Sequence, residues 1–378
     1  MAESLVENMG QCDLRNDINH HEISMFYREF SLSGLVPFAK RRAVQVLRLL
    51  RIKPPPPSMK ESLQRDLTDR SHLSPILRAI EWVRGNECPT GGICNYPGYG
   101  KAYPEVTGYL IPTLLNYGEE ALAKRFVSWL LRIEGDDGSF PGPSGVPHIF
   151  DTGQVLRGLL AMRENVEGAS DAARRTGRYL YASMKDYGKE GFAVDPVWLK
   201  SYGKDIPTSS HLYVLPEMRQ AAEVFGEPKY LAAIENCLEY YLNDSNALQL
   251  STLTHFLAYE LEALIDLGRR DKALPVLETL RDLQDYDGGV RAKDGVSWVC
   301  TPGLAQLAVC WYKVGKREPA DKAMKWLEKH QMASGGFLGS YGANATYFPN
   351  AELPWAAKFY LDANLLRDRQ LGYVVQRD

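Results

Sequence analysis

Six times between residues 71 and 367 the chain repeats one arrangement: a charged amphipathic helix pattern, a turn, and a second helix pattern that is apolar nearly all round. The first unit runs from "LSPILRAIEWVRGNECPTGGI" to "TGYLIPTLLNYG", the last from "EPADKAMKWLEKHQMASGGF" to "AELPWAAKFYLDANLL". A period of roughly 40–55 residues holding two helices marks a helical repeat array. A one-sided helix packs by one face, whereas a helix apolar all round is buried on both sides. One set of helices therefore lies inside the other, and six hairpins is the number that closes an all-α (α/α)6 barrel. An open solenoid is the alternative, because a period alone does not close a ring. Gly92, Gly138, Gly191, Gly288 and Gly335 mark five of the turns, and the fourth unit has Asn246 instead. Glycine suits such turns because it adopts positive φ without a Cβ clash.

The segment before the repeats differs in kind. "FAKRRAVQVLRLLRIK" mixes Lys and Arg with Val, Leu and Ile, and Pro54 to Pro57 end any helix there. Residues 1–57 are expected to form a basic arm with a proline-rich linker, and residues 58–378 the toroid domain. Residues 36–53 could lie on an anionic membrane surface, or pack on the main domain with their charges solvated.

The 378 residues are 45% hydrophobic and 24% charged, enough for a large core, and the formal net charge of −3 gives no nucleic-acid signature. Six scattered cysteines without a CxxC pair do not read as a disulfide framework, so a reducing compartment is expected. The polar, acidic first residues lack a signal-peptide pattern, and no apolar run reaches the length of a membrane span. A cytoplasmic location follows as the expectation. "GGICNYPGYGK" is glycine-rich but has no Gly-Lys-Ser/Thr opening a helix. Neither a cofactor nor a metal is expected.

In a closed ring the inner helices all begin at one mouth. The residues there include Tyr103, Glu105 and Tyr109; His148, Asp151 and Thr152; Ser209, Ser210 and His211; Thr254 and His255; Trp298 and Thr301; and Tyr347, Glu352 and Trp355. Thr, Ser and Asp at such positions can serve simply as helix caps. Taken together, the set gathers carboxylates, histidines and aromatics where helix N-termini favour anions. Glu105, Asp151, His211, His255 and Glu352 are the candidate catalytic residues. Tyr103, Tyr109, His148, Trp298, Tyr347 and Trp355 are the candidate substrate-binding residues, since aromatics stack on sugar rings.

The turns "LRDLQDYDGGV" and "LEKHQMASGGFLGS" resemble the Q-x-x-x-G-G-F/W repeats of the terpenoid-cyclase and prenyltransferase α/α toroids. "YPEVTGYLIPTLL", "FDTGQVLRGLL" and "YFPNAELPWAAKFYLDA" resemble bacterial repeat proteins of surface-polysaccharide gene clusters. The first resemblance implies the toroid. The second implies a role in cell-surface polysaccharide or lipopolysaccharide biosynthesis, with a glycan or sugar-lipid substrate near the inner membrane. Two carboxylates could serve hydrolysis, and His or Tyr with Glu could remove the proton beside a uronate carboxyl, as an epimerase or lyase does. Non-catalytic glycan binding is the alternative. Isoprenoid chemistry fits less well: there is no D-x-D-D, Trp298 stands where a zinc-binding Asp would precede Cys300, and the last inner helix has no His.

Overall fold

The Ser74 side chain accepts a hydrogen bond from Leu77 N at 3.4 Å and Pro75 follows at the first helical position, so the first helix starts where a cap and a preset φ coincide. The computed structural model describes residues 73–370 apart from Tyr99, Pro143, Ser144, Tyr202, Lys204 and Ser245. The expected arm over residues 1–57 and its membrane-contact segment, 36–53, lie outside the described residues.

Thirteen α-helices among the described residues make six hairpins, as the sequence predicts. The pairs are α1 (Pro75–Gly85) with α2 (Pro104–Asn116), and α3 (Glu120–Ile133) with α4 (Ile149–Ala161). In the third, α5 (Ala169–Ala182) is joined through a short α6 (Pro196–Ser201) to α7 (Leu215–Phe225). Then come α8 (Pro228–Leu242) with α9 (Thr254–Asp266), α10 (Arg270–Asp282) with α11 (Thr301–Lys313), and α12 (Arg317–His330) with α13 (Pro354–Gln370). The first member of each pair buries one stripe: α10 buries only Ala273, Leu277 and Leu280. The second members are enclosed: twelve of the thirteen residues of α11, Thr301 to Tyr312, are buried. That contrast is what an outer and an inner ring require.

The ring closes. Thr113 of α2 donates to Asp362 of α13 at 2.6 Å, Tyr117 donates to the Leu361 carbonyl at 2.9 Å, and Gln331 donates to the Pro75 carbonyl at 2.9 Å. The turns repeat one packing relation. Gly288, at φ +100°, lies so close to the next outer helix that a Cβ would fall 2.1 Å from the Lys322 carbonyl oxygen. Gly335, at φ +99°, stands in the same relation to Arg78 of α1, again at 2.1 Å. The sixth turn thus uses the first helix as the fifth turn uses the sixth, and the open solenoid is excluded. Inner helices approach just as closely: a Cβ on Gly108 would meet the Gln154 carbonyl oxygen at 2.6 Å.

Several details depart from the sequence reading. In the fourth unit the positive-φ residue near the turn is Leu248, at φ 57°, and its N–H donates to Glu260 at 2.6 Å. The third inner helix is entered through a 3-10 turn, Thr208–Val214, which carries His211. A small antiparallel pair forms between Val299–Cys300 (β1) and Ser340–Tyr341 (β2). Cys88 and Cys94 are joined in a disulfide across the first turn, against the expectation of free thiols in a reducing compartment. Cys237, Cys300 and Cys310 are free and buried. No helix among the described residues is long and apolar enough to cross a membrane.

Candidate active site

Threonines at the first two inner-helix starts tie the turn to its helix. Ile93 N donates to Thr107 Oγ1 at 3.1 Å, and Phe140 N donates to Thr152 Oγ1 at 3.1 Å. The residues preceding α2, α4, α9 and α11 make no side-chain cap hydrogen bonds. Glu105 is the second residue of α2 and Asp151 the third of α4, inside the helices rather than at their caps, and both are buried. Capping therefore does not account for either carboxylate.

Their contacts are with each other's surroundings. The Tyr103 hydroxyl donates to Asp151 Oδ2 at 3.4 Å and also engages Glu105. His148 Nδ1 lies 3.2 Å from the same Asp151 oxygen. On the other side, Tyr259 places its hydroxyl 3.5 Å from Glu105 Oε1 and 3.0 Å from His255 Nε2. Aromatic rings enclose this cluster: Phe150, Tyr213 and Phe359 have centroids 4.9, 4.7 and 6.1 Å from that of Tyr259.

The charges follow from burial. Desolvation and the neighbouring Asp151 push the Glu105 carboxyl well above the usual carboxylate range, and the Tyr103 and Tyr259 hydroxyls and Lys358 only partly oppose this. Burial disfavours a charged His148, but the Asp151 carboxylate outweighs it and raises its pKa. His255, buried and near Lys358, is pushed down to about 3, and buried His211 to about 4. The site thus holds a carboxyl with a raised pKa, a His148–Asp151 pair and a neutral imidazole within one enclosure. One group that can give a proton and others that can accept one is the requirement of acid–base catalysis.

Below the cluster the barrel axis is filled with charge. Arg157 donates to Glu217 at 2.7 Å and to the Tyr213 hydroxyl at 3.0 Å, and Tyr213 donates to Glu262 at 3.0 Å. Glu262 also accepts from Gln306 and Lys313, both at 2.8 Å, and Lys313 donates to Asp266 at 2.7 Å. Lys358 lies 3.0 Å from Asp362 and 3.8 Å from the centre of the Phe359 ring. Each buried charge has a partner of opposite sign, so this floor is a fixed ionic plug.

Among the predicted site residues, Tyr103, Glu105, His148, Asp151 and His255 come together. Tyr109 joins them, its ring 5.9 Å from Phe359 and beneath Lys358. Tyr347 lies 5.9 Å from His255 and accepts a hydrogen bond from Trp355 at 3.1 Å. His211 sits beside them, 6.4 Å from Phe150 and 5.0 Å from Trp198 of α6. Two residues serve elsewhere. Glu352 accepts hydrogen bonds from Trp82 and, at 2.7 Å, from Ser334, at the seam that closes the ring. Trp298 packs on Gly342, at the junction of the last two hairpins. Sequence reasoning missed Tyr259, Tyr213 and Lys358. Tyr259 is four residues after His255, on the same helix face, and Lys358 is a lone charge in the apolar stretch "PWAAKFYL".

Neither a protein-family description nor a curated protein sequence matches the chain. Solved structures do match. An unsaturated glucuronyl hydrolase specific for heparin superposes with a TM-score of 0.61 at 14% identity, over 82% of this chain and 100% of that one. The unsaturated glucuronyl hydrolase of Bacillus sp. GL1 gives 0.58 at 16% identity, over 79% and 95%. An α-amylase from Clostridium perfringens gives 0.59 at 14% identity, over 77% and 97%. At these identities the likeness establishes the α/α toroid fold.

Proposed function

We propose that this chain is an enzyme acting on a uronate or other acidic sugar by acid–base catalysis, with Glu105 as the acid and Asp151 as the partnering carboxylate. The observation that carries this reading is the buried Glu105 carboxyl, set beside Asp151 in an aromatic enclosure at the inner-helix starts, where burial and the Asp151 charge raise its pKa. Raised His148, paired with Asp151, supplies positive charge for a substrate carboxylate. Two of the similar solved structures are described as unsaturated glucuronyl hydrolases, which agrees with a sugar acid as substrate. A place in bacterial surface-polysaccharide or lipopolysaccharide biosynthesis, and a sugar-lipid substrate, rest on the motif resemblance alone. Buried Cys300, its thiol pushed up to about 12, is poorly suited to the thiolate that a prenyltransferase zinc site needs.

The test is incubation with saturated and unsaturated uronate oligosaccharides, read by mass spectrometry and by deuterium uptake from solvent. Turnover by the wild type and its loss in Glu105→Gln and Asp151→Asn, with the fold retained, are expected. Binding without turnover would instead support a glycan-binding protein.

A further inference from the structure

Tyr259 links two groups that stand on different inner helices, Glu105 of α2 and His255 of α9. Its hydroxyl is 3.0 Å from His255 Nε2 and 3.5 Å from Glu105 Oε1. His255 Nδ1 is buried and has no hydrogen-bond partner among the described residues. Its ring lies between those of Tyr259, Tyr347 and Phe359, at 4.6, 5.9 and 6.0 Å.

A neutral imidazole carries one N–H and one bare lone pair. Were the proton on Nδ1, a buried N–H would have no acceptor. With the proton on Nε2, the N–H is satisfied by the Tyr259 oxygen, and only a lone pair is left bare. An orphaned buried donor is the rarer and costlier of the two. The Tyr259 oxygen, accepting from His255, then turns its own O–H to Glu105 Oε1.

We propose that Tyr259 is a positioning residue that fixes His255 as its Nε2–H tautomer, so that His255 Nδ1 is the acceptor for a substrate hydroxyl. The arrangement deepens the acidic-sugar reading and rests on it for the identity of the ligand. The tautomer does not depend on that reading. A sugar hydroxyl is a hydrogen-bond donor suited to a bare imidazole nitrogen, and the surrounding rings suit the apolar face of a pyranose.

The experiment is long-range proton–nitrogen NMR of the 15N-histidine protein, with His255 assigned by His255→Gln. In the wild type near neutral pH the Nε2–H tautomer is expected. Tyr259→Phe removes the acceptor and should abolish that preference. An Nδ1–H tautomer in the wild type, or an unchanged tautomer in Tyr259→Phe, overturns the positioning role. Titration with glucuronate should then shift the His255 Nδ1 resonance. Saturable shifts at His148 that leave Nδ1 unmoved overturn the acceptor role. No shift at any site resonance, with the tautomer as expected, counts against the acidic-sugar reading and leaves the Tyr259 assignment standing.

Discussion

His148 Nδ1 lies 3.2 Å from Asp151 Oδ2, and both side chains are almost fully enclosed. The pair makes a charged histidine the stable form despite burial, and its pKa rises above 6.5. Its contribution to stability is complete below 6.5 and fades as pH rises through the raised value. Asp151→Asn should lower the His148 pKa, because only the more weakly acting Asp195 charge then opposes burial. Histidine NMR titration checks this; an unchanged value in the variant would contradict the pairing.

Glu105→Gln should stabilise the fold near neutral pH while removing activity. A carboxyl with a raised folded-state pKa contributes stability below 4.5 and loses it as pH rises through the raised value. A neutral amide of the same shape avoids that loss, so the melting temperature at pH 7 should rise by about 2 °C or more. Below 4.5 the two proteins should converge. Turnover of any responding uronate substrate should fall roughly 10²–10⁴-fold. Calorimetry at two pH values with a rate assay reads both effects.

Gly335→Ala tests the closure of the ring. The substituted residue would be strained at φ +99°, and its Cβ would collide with Arg78 of the first helix. A loss of about 3 kcal/mol or more is expected in urea unfolding. Gly118→Ala is the control: its φ is +76°, with nothing within 4 Å of the added Cβ, so about 1 kcal/mol suffices.

The Cys88–Cys94 disulfide predicts that peptide mapping without reductant finds these two residues linked and Cys237, Cys300 and Cys310 as thiols. Replacing both by serine should cost about 2 kcal/mol. The bond closes the turn whose Ile93 carbonyl accepts from Tyr103 N at 3.0 Å, so the loss should also loosen Tyr103.

The architecture could be read from the chain because helix period and turn glycines are local signals. Closure could not, since it depends on Gly335 meeting Arg78, which are 257 positions apart in the numbering (335 − 78). The first layer of the site was legible for the same local reason: Tyr103, Glu105, His148, Asp151 and His255 all stand at helix starts. Tyr259 and Lys358 lie one turn deeper, where function depends on the register of facing helices. Glu352 was misplaced because its proline lies on the other side. Glu105 follows Pro104 and is already helical, whereas Glu352 precedes Pro354 in extended chain bridged to Leu338, and so turns to Trp82. The disulfide escaped because five residues separate the cysteines, and only the folded turn brings their Cα atoms within 5.2 Å.

The protonation state of Glu105 is the central claim, and carboxyl 13C NMR titration measures it, with the resonance assigned by Glu105→Gln. The account predicts a midpoint well above 4.5 in the wild type, moving down in Asp151→Asn as the neighbouring charge is removed. A midpoint at or below 4.5, or one indifferent to Asp151, would contradict it.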